Sequence, residues 1–181
     1  MAAYSEKELR YARPVAHEIL ESGAFRQWLL GGTKHEQSAL HARPVGQLQA
    51  SLRSPTMKNP YWFNYWCGKD SKCECRVGTG TGIETDILLM LDCPNDRRLA
   101  LHIEIKRPGD HLRDGQAESY PRRAACWADP STRPKTVLPH QDFLTILICG
   151  RELASDDRLR FFDKVIFHDD VSQRIRVYPE V

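Results

Sequence analysis

Four charged residues interrupt two apolar segments that otherwise look like β-strands. Glu84 and Asp86 lie in the first segment, and Glu104 and Lys106 lie in the second. Side chains alternate between the two faces of a strand, so Glu84 shares a face with Asp86, and Glu104 shares one with Lys106. If the strands pair, carboxylates from both meet beside one ammonium group. Burying such charges is costly unless they are paired or bind a metal.

The chemistry that these residue types allow is that of a hard divalent cation. Mg²⁺ prefers oxygen ligands, which the carboxylates of Asp86 and Glu104 and the backbone carbonyl of Ile105 could supply. A metal held there would neutralise phosphate charge and activate a water molecule, while Lys106 would orient the water or hold the phosphate. The alternative is a structural ion pair between Lys106 and one of the carboxylates, on a solvent-facing part of the sheet.

A helix is predicted directly after the second segment, over residues 112–128. Gln116 and Tyr120 are four residues apart in it and therefore lie on one helix face. From there they could orient Lys106 and the water, or contact phosphate oxygens. The alternative is an amphipathic surface helix with a half-buried tyrosine.

Three short motifs follow one another here: Thr85-Asp86, then Glu104-Ile105-Lys106, then Gln116 with Tyr120. Over residues 80–125 this ordered set resembles the PD-(D/E)XK nuclease superfamily, with Thr85 standing where the family pattern has proline. The resemblance implies a restriction-endonuclease-like αβββαβ core and Mg²⁺ or Mn²⁺ as cofactor. It also implies that Asp86, Glu104, Lys106, Gln116 and Tyr120 form the active site, with DNA as the expected substrate.

Members of that superfamily often add an acidic residue from the N-terminal helix. Glu18 or Glu21 could have this role, and the apolar neighbours of Glu18 favour it, although a plain exposed helix glutamate is the alternative. Glu84 could be an additional acid beside Asp86. His102 is interpreted as a packed or surface histidine rather than a ligand.

The predicted function is a metal-dependent nuclease that hydrolyses phosphodiester bonds. The alternative is a non-catalytic module of the same fold that binds nucleic acid or a protein; the presence of Asp86, Glu104 and Lys106 together argues against it. No separate specificity domain is evident, so a homodimer or a larger protein partner could supply target choice. Basic residues between 107 and 135 form either a phosphate-contacting patch or a solvated face of mixed charge, because acidic residues lie among them.

The predicted fold is a single α/β domain over residues 1–181, with a mixed central sheet flanked by helices. An N-terminal helical region covers about 1–55: a helix over 5–30 capped by Ser5 and interrupted at Pro14, then a second region over 34–52. A hairpin is predicted over 61–77 and a short helix from Ser155. The predicted strands cover 83–91, 99–106, 143–149, 164–168 and 174–178.

Composition and cysteine spacing bear on the location of the protein and on zinc binding. The chain has 181 residues, a formal net charge of +2 and no apolar run long enough to cross a membrane. Its first residues lack the apolar segment of a secretory signal, which predicts a cytoplasmic protein with reduced cysteines. A zinc site on Cys67, Cys73, Cys75 and Cys93 is not predicted, because the Cys-x5-Cys-x-Cys spacing is not a usual zinc knuckle.

Overall fold

The computed structural model describes residues 2–67, 75, 77 and 84–180, with side chains from Glu6 onward. Five α-helices are present in these residues: α1 (Ala2–Glu21), α2 (Gly23–Leu30), α3 (Gly46–Ser51), α4 (Gln116–Ala128) and α5 (His168–Ser172). The strands are β1 (Arg43–Pro44), β2 (Phe63–Trp66), β3 (Glu84–Cys93), β4 (Arg97–Ile105), β5 (Asp142–Cys149) and β6 (Lys164–Phe167). Short 3₁₀ turns cover Glu36–Ser38, Arg151–Leu153 and Asp157–Phe161. The predicted α/β class is therefore confirmed.

The six strands form one mixed sheet. β3 and β4 are an antiparallel hairpin, β5 pairs parallel to β4, and β6 pairs parallel to β5. β1 and β2 both pair antiparallel with β3, β1 beside its C-terminal half and β2 beside its N-terminal half. The parallel step from β4 to β5 is made through α4, the helical crossover that parallel strands need.

Helices cover the two faces of this sheet, because β3 and β4 are apolar on both sides. Ile87 and Ile103 face the main core, where Val15 and Ile19 of α1 pack. Leu88 and Met90 face the other way and pack with Trp127 of α4. Asp86 lies on the same face of β3 as Leu88 and Met90, and Glu104 is the corresponding residue on β4. Strand alternation therefore directs both carboxylates to the α4 side of the sheet.

The N-terminal half differs from the prediction in detail. α1 runs through Pro14 without interruption, and the break comes instead at Ser22, whose hydroxyl accepts a hydrogen bond from Phe25 N–H and caps α2. Ser5 lies inside α1 and does not begin it. The predicted helical region over 34–52 is a 3₁₀ turn, the two-residue β1 and the short α3.

Two other expected elements also differ. The first arm of the expected 61–77 hairpin is β2, which pairs with β3; most of the second arm lies outside the described residues. The segment 174–178 is not a strand. Its Ile175 and Tyr178 are buried at helical spacing, while Val177 is 78 % exposed. Among the described residues, no helix has the length and apolarity to cross a membrane.

Candidate functional site

The candidate site lies where β3 and β4 separate. Their paired register ends at Ile87 and Ile103, and Asp86 and Glu104 are the next residue on each strand. Beyond this point, among the described residues, β3 continues its pairing with β2. Asp86 is 6 % exposed and Glu104 is 3 % exposed, so two carboxylates are buried together at the fork of the hairpin.

The backbone of Ile105 links the two strands where their pairing ends. Its N–H donates to Asp86 Oδ2 at 2.8 Å, so a side-chain carboxylate takes the place of the backbone partner that β3 no longer offers. Lys106 N–H, in contrast, donates to Ile148 O on the β5 side at 2.8 Å. In an extended strand a residue's N–H and C=O point to the same edge. The Ile105 carbonyl is therefore directed to the β3 side, where Asp86 lies.

Glu104 has polar partners at both of its carboxylate oxygens. Lys106 Nζ lies 2.7 Å from its Oε1, and the Gln116 side-chain amide donates to the same oxygen at 2.5 Å. The Tyr120 hydroxyl donates to the other oxygen, Oε2. The carboxylate of Glu104 is thus held at both oxygens by one cation and two neutral donors.

The start of α4 positions two of these donors. Gly115 has a φ of +67° at the N-cap, a left-handed conformation that glycine adopts without a Cβ penalty. Gln116 Oε1 then accepts a hydrogen bond from Arg113 N–H at 3.0 Å, which turns the amide nitrogen to Glu104. Tyr120 follows one helical turn later and is fully buried. Gln116 and Tyr120 therefore reach Glu104 from one helix face.

The carboxylates repel each other. Burial, and then the charges of Glu104 and Glu8, raise the pKa of Asp86 well above its ordinary value. Burial and the same two neighbours raise the pKa of Glu84 to about 7, although nearby arginines act in the opposite direction. Burial and neighbouring charge therefore disfavour the ionised forms of both carboxyl groups. A bound cation would remove this repulsion.

The acidic residue that α1 brings to the site is Glu8, rather than Glu18 or Glu21. Glu8 acts electrostatically on both Asp86 and Glu84. Glu18 lies ten residues further along, about 15 Å by the helix rise, and lines a groove with Arg13 and His17. Glu21 is exposed and its charge acts on Arg26 and Tyr61. By position, Glu8 rather than Glu18 is the α1 acid whose charge acts on the candidate site.

The C-terminal segment supports the backbone of Lys106, a contact that no sequence pattern predicts. His168 Nε2 lies 2.7 Å from Lys106 O, and His168 Nδ1 lies 2.7 Å from the Tyr178 hydroxyl. A carbonyl can only accept, so Nε2 carries the proton and the neutral ring accepts from Tyr178 at Nδ1. Burial lowers the pKa of His168, which agrees with a neutral ring.

Basic residues near the site have different roles. Arg123 is not on the surface: it is fully buried, its Nε donates to Thr85 Oγ1 at 2.9 Å, and its guanidinium lies 4.2 Å from the centre of the Tyr120 ring. Arg107 forms an ion pair with Asp110 at 2.7 Å. A groove of about 420 Å³ lies between α1 and the loop after β4, lined by Lys7, Arg10, Tyr11, Arg107, Pro108 and Asp110.

His102 is a core histidine, as expected. It is fully buried beside Trp127, with ring centres 5.2 Å apart, and burial lowers its pKa well below the ordinary value. Neither ring nitrogen has a hydrogen-bond partner among the described residues. His102 therefore packs as a neutral ring on the α4 face of the sheet.

Comparisons with known proteins returned no match to a protein-family model, a curated protein or a solved structure. The case for its function therefore depends on the geometry and electrostatics of the site.

Proposed function

We propose that this chain is a divalent-metal-dependent nuclease that hydrolyses phosphodiester bonds, with DNA as its expected substrate. The observation that carries the proposal is the buried pair of carboxylates, Asp86 and Glu104, at the fork of β3 and β4 with Lys106 beside them. The order α1, β2, β3, β4, α4, β5 supports a restriction-endonuclease-like core of αβββαβ form.

A hard cation fits the oxygens available. Asp86 and Glu104 supply carboxylates, and the Ile105 carbonyl is directed to the same edge of β4 as the N–H that Asp86 accepts. Mg²⁺ or Mn²⁺ binds such oxygens and completes its coordination shell with water. Since Glu8 and Glu84 are only partly buried whereas Asp86 and Glu104 are buried, the cation and the phosphate would enter from the side of Glu8 and Glu84.

The reaction would be hydrolysis of a P–O bond. A cation at this site supplies charge neutralisation and an activated water. Lys106 is a donor only, so it would stabilise negative charge on the attacked phosphate or hold the water rather than bind the metal. Gln116 and Tyr120 would fix the orientation of Glu104, because they donate to its two oxygens.

Basic residues beside the acids offer a path for the nucleic-acid backbone. Lys7 precedes Glu8 in α1, and Arg107 follows Lys106 after β4. Lys7, Arg10 and Arg107 line one groove, so positive charge lies next to the candidate site. Lysine and arginine side chains in this position would neutralise phosphates and displace their counterions.

A buried ion pair that only stabilises the fold is the competing explanation. Such a pair needs Lys106 and one carboxylate. It gives no reason for the charges of Glu8 and Glu104 to add to burial in raising the pKa of two further carboxyl groups, those of Glu84 and Asp86. A cation site does give such a reason, and we therefore favour it.

The test is cleavage of linear, circular and single-stranded DNA, and of RNA, with and without Mg²⁺ or Mn²⁺. We expect DNA cleavage only when the cation is present, and loss of cleavage in Glu104→Gln. The matched control is Asp92→Asn, on the same hairpin in an exposed pair with Arg98, and it should cut as the wild type does. Absence of cleavage under every condition would contradict the proposal, and DNA binding without cleavage would favour the non-catalytic module.

A further inference from the structure

Three cysteine sulfurs meet at a place far from the acidic site. Cys67 Sγ and Cys75 Sγ are 3.1 Å apart, and Cys126 Sγ lies within 4.8 Å of each. Cys67 directly follows β2, Cys75 belongs to the connection between β2 and β3, and Cys126 is on α4. None of these three is in a disulfide. Within the described part of the chain, no other three His, Cys, Asp or Glu ligand atoms lie this close together.

The spacing of these sulfurs suits one tetrahedral metal. Zinc–thiolate bonds are about 2.3 Å long, which places two sulfurs on one tetrahedral zinc about 3.8 Å apart. The Cys67 and Cys75 sulfurs are 3.1 Å apart and all three sulfurs lie within 4.8 Å of one another, a range that includes this value. A disulfide requires sulfurs about 2.05 Å apart. Small shifts of the side chains would therefore accommodate zinc.

The surroundings also suit a structural zinc rather than a reactive thiol. Cys67 and Cys75 are buried in an apolar cluster with Tyr65 and Leu88, and Cys126 packs against its edge. Apolar burial disfavours a lone thiolate, whereas zinc binds thiolates and balances their charge. Soft sulfur ligands select zinc over Mg²⁺, so this cluster would not compete for the cation of the acidic site.

We infer that Cys67, Cys75 and Cys126 bind a structural zinc ion, with a fourth ligand completing the tetrahedron. Cys73 stands two residues before Cys75 in the sequence, but it lies outside the described residues and is not assigned. The zinc ties the β2–β3 connection to α4, the helix that also carries Gln116 and Tyr120. Cys126 is ten residues from Gln116, about 15 Å along the helix, so the zinc site is separate from the proposed nuclease site.

The test is the zinc content of protein purified without chelators, measured by mass spectrometry of the metal. We expect about one zinc per chain in the wild type and at least a tenfold loss in Cys126→Ser. The control is Cys93→Ser. Cys93 is also partly buried, but it packs against the main core on the α1 side of the sheet. It should retain the zinc. Equal zinc in the two variants would overturn the inference.

A second measurement keeps the inference testable if Cys126→Ser does not fold. Wild-type protein in which Co²⁺ replaces the zinc should show the charge-transfer and ligand-field absorption of a tetrahedral cobalt–thiolate site. Absence of that absorption, iron in place of zinc, or an intact mass that shows a Cys67–Cys75 disulfide would each overturn it. Since DNA cleavage is not measured here, neither result depends on the nuclease proposal.

Discussion

Asp86→Asn separates the charge of Asp86 from its shape. The asparagine keeps an oxygen that can accept the Ile105 N–H, now bonded at 2.8 Å, but it loses the negative charge. In the wild type, burial, and then the charges of Glu104 and Glu8, disfavour that charge and raise the pKa of Asp86. Without metal, the variant should therefore be at least as stable as the wild type.

The order of stability should reverse when cation is added. A ligand of the native state stabilises by RT ln(1 + [L]/Kd), which is about 2.7 kcal/mol at 100-fold excess over Kd. For a chain of this size, 1 kcal/mol shifts Tm by about 2–4 °C, so the wild type should gain about 5–11 °C. Asp86→Asn should gain little, because it lacks one of the two carboxylate ligands.

The assay is thermal unfolding at pH 7.5 across a titration of Mg²⁺ and then of Mn²⁺. Asp92→Asn is the control, since Asp92 lies on the same strand and makes an exposed ion pair with Arg98 at 2.6 Å. It should shift with cation as the wild type does. A wild-type Tm that is unchanged at millimolar cation, or an equal gain in Asp86→Asn, would refute the reasoning.

Three further predictions follow from the site. Lys106→Ala should lower the cleavage rate by about 100-fold or more, the effect of removing a donor to a developing negative charge, while keeping the metal-induced Tm shift; unchanged cleavage would contradict this. Glu8→Gln should weaken the apparent Mg²⁺ affinity in the same titration by about 10-fold or more, as for residues that support metal ligands, whereas Glu18→Gln should not. Equal effects of the two substitutions would contradict the distinction between Glu8 and Glu18. In EDTA, the pKa of Glu84 is about 7 in the folded state and 4.5 in the unfolded state. The contribution of Glu84 to the free energy of unfolding is therefore fully present below pH 4.5 and is lost as the pH rises through about 7. Glu84→Gln should thus raise Tm relative to the wild type at pH 8 but not at pH 4.5, and the same difference at both pH values would contradict the raised pKa.

The placement of the central residues could be predicted because it depends on local periodicity. Strand alternation gave Glu104 and Lys106 a common face, and the four-residue spacing did the same for Gln116 and Tyr120. The structure brings all four together. These relations hold within one element or between two consecutive ones, so they needed no knowledge of distant contacts.

The sequence contains a signal for the position of Glu8 beside the site. Ala12, Val15 and Ile19 are buried, and Glu8 continues their helical stripe one turn earlier, whereas Glu18 does not. The apolar neighbours of Glu18 in the sequence favour it, but they do not report the direction in which its side chain points. The stripe would have selected Glu8.

Other features depend on contacts that sequence spacing does not encode. Cys126 meets Cys67 and Cys75 only because α4 packs on the face of the sheet next to β2, so no cysteine spacing could reveal it. The segment 174–178 has apolar residues that suggested a strand, but His168 and Tyr178 hold it against the core as turns. In both cases the tertiary partner decides the outcome.

The most direct test of the central claim is anomalous X-ray scattering from crystals soaked in Mn²⁺. The account predicts a manganese peak about 2 Å from oxygens of Asp86 and Glu104, on the side where the Ile105 carbonyl points. The peak should be absent in Asp86→Asn crystals treated in the same way. A wild-type crystal with no manganese at the fork of β3 and β4 would contradict the account, as would manganese found only at other surface carboxylates.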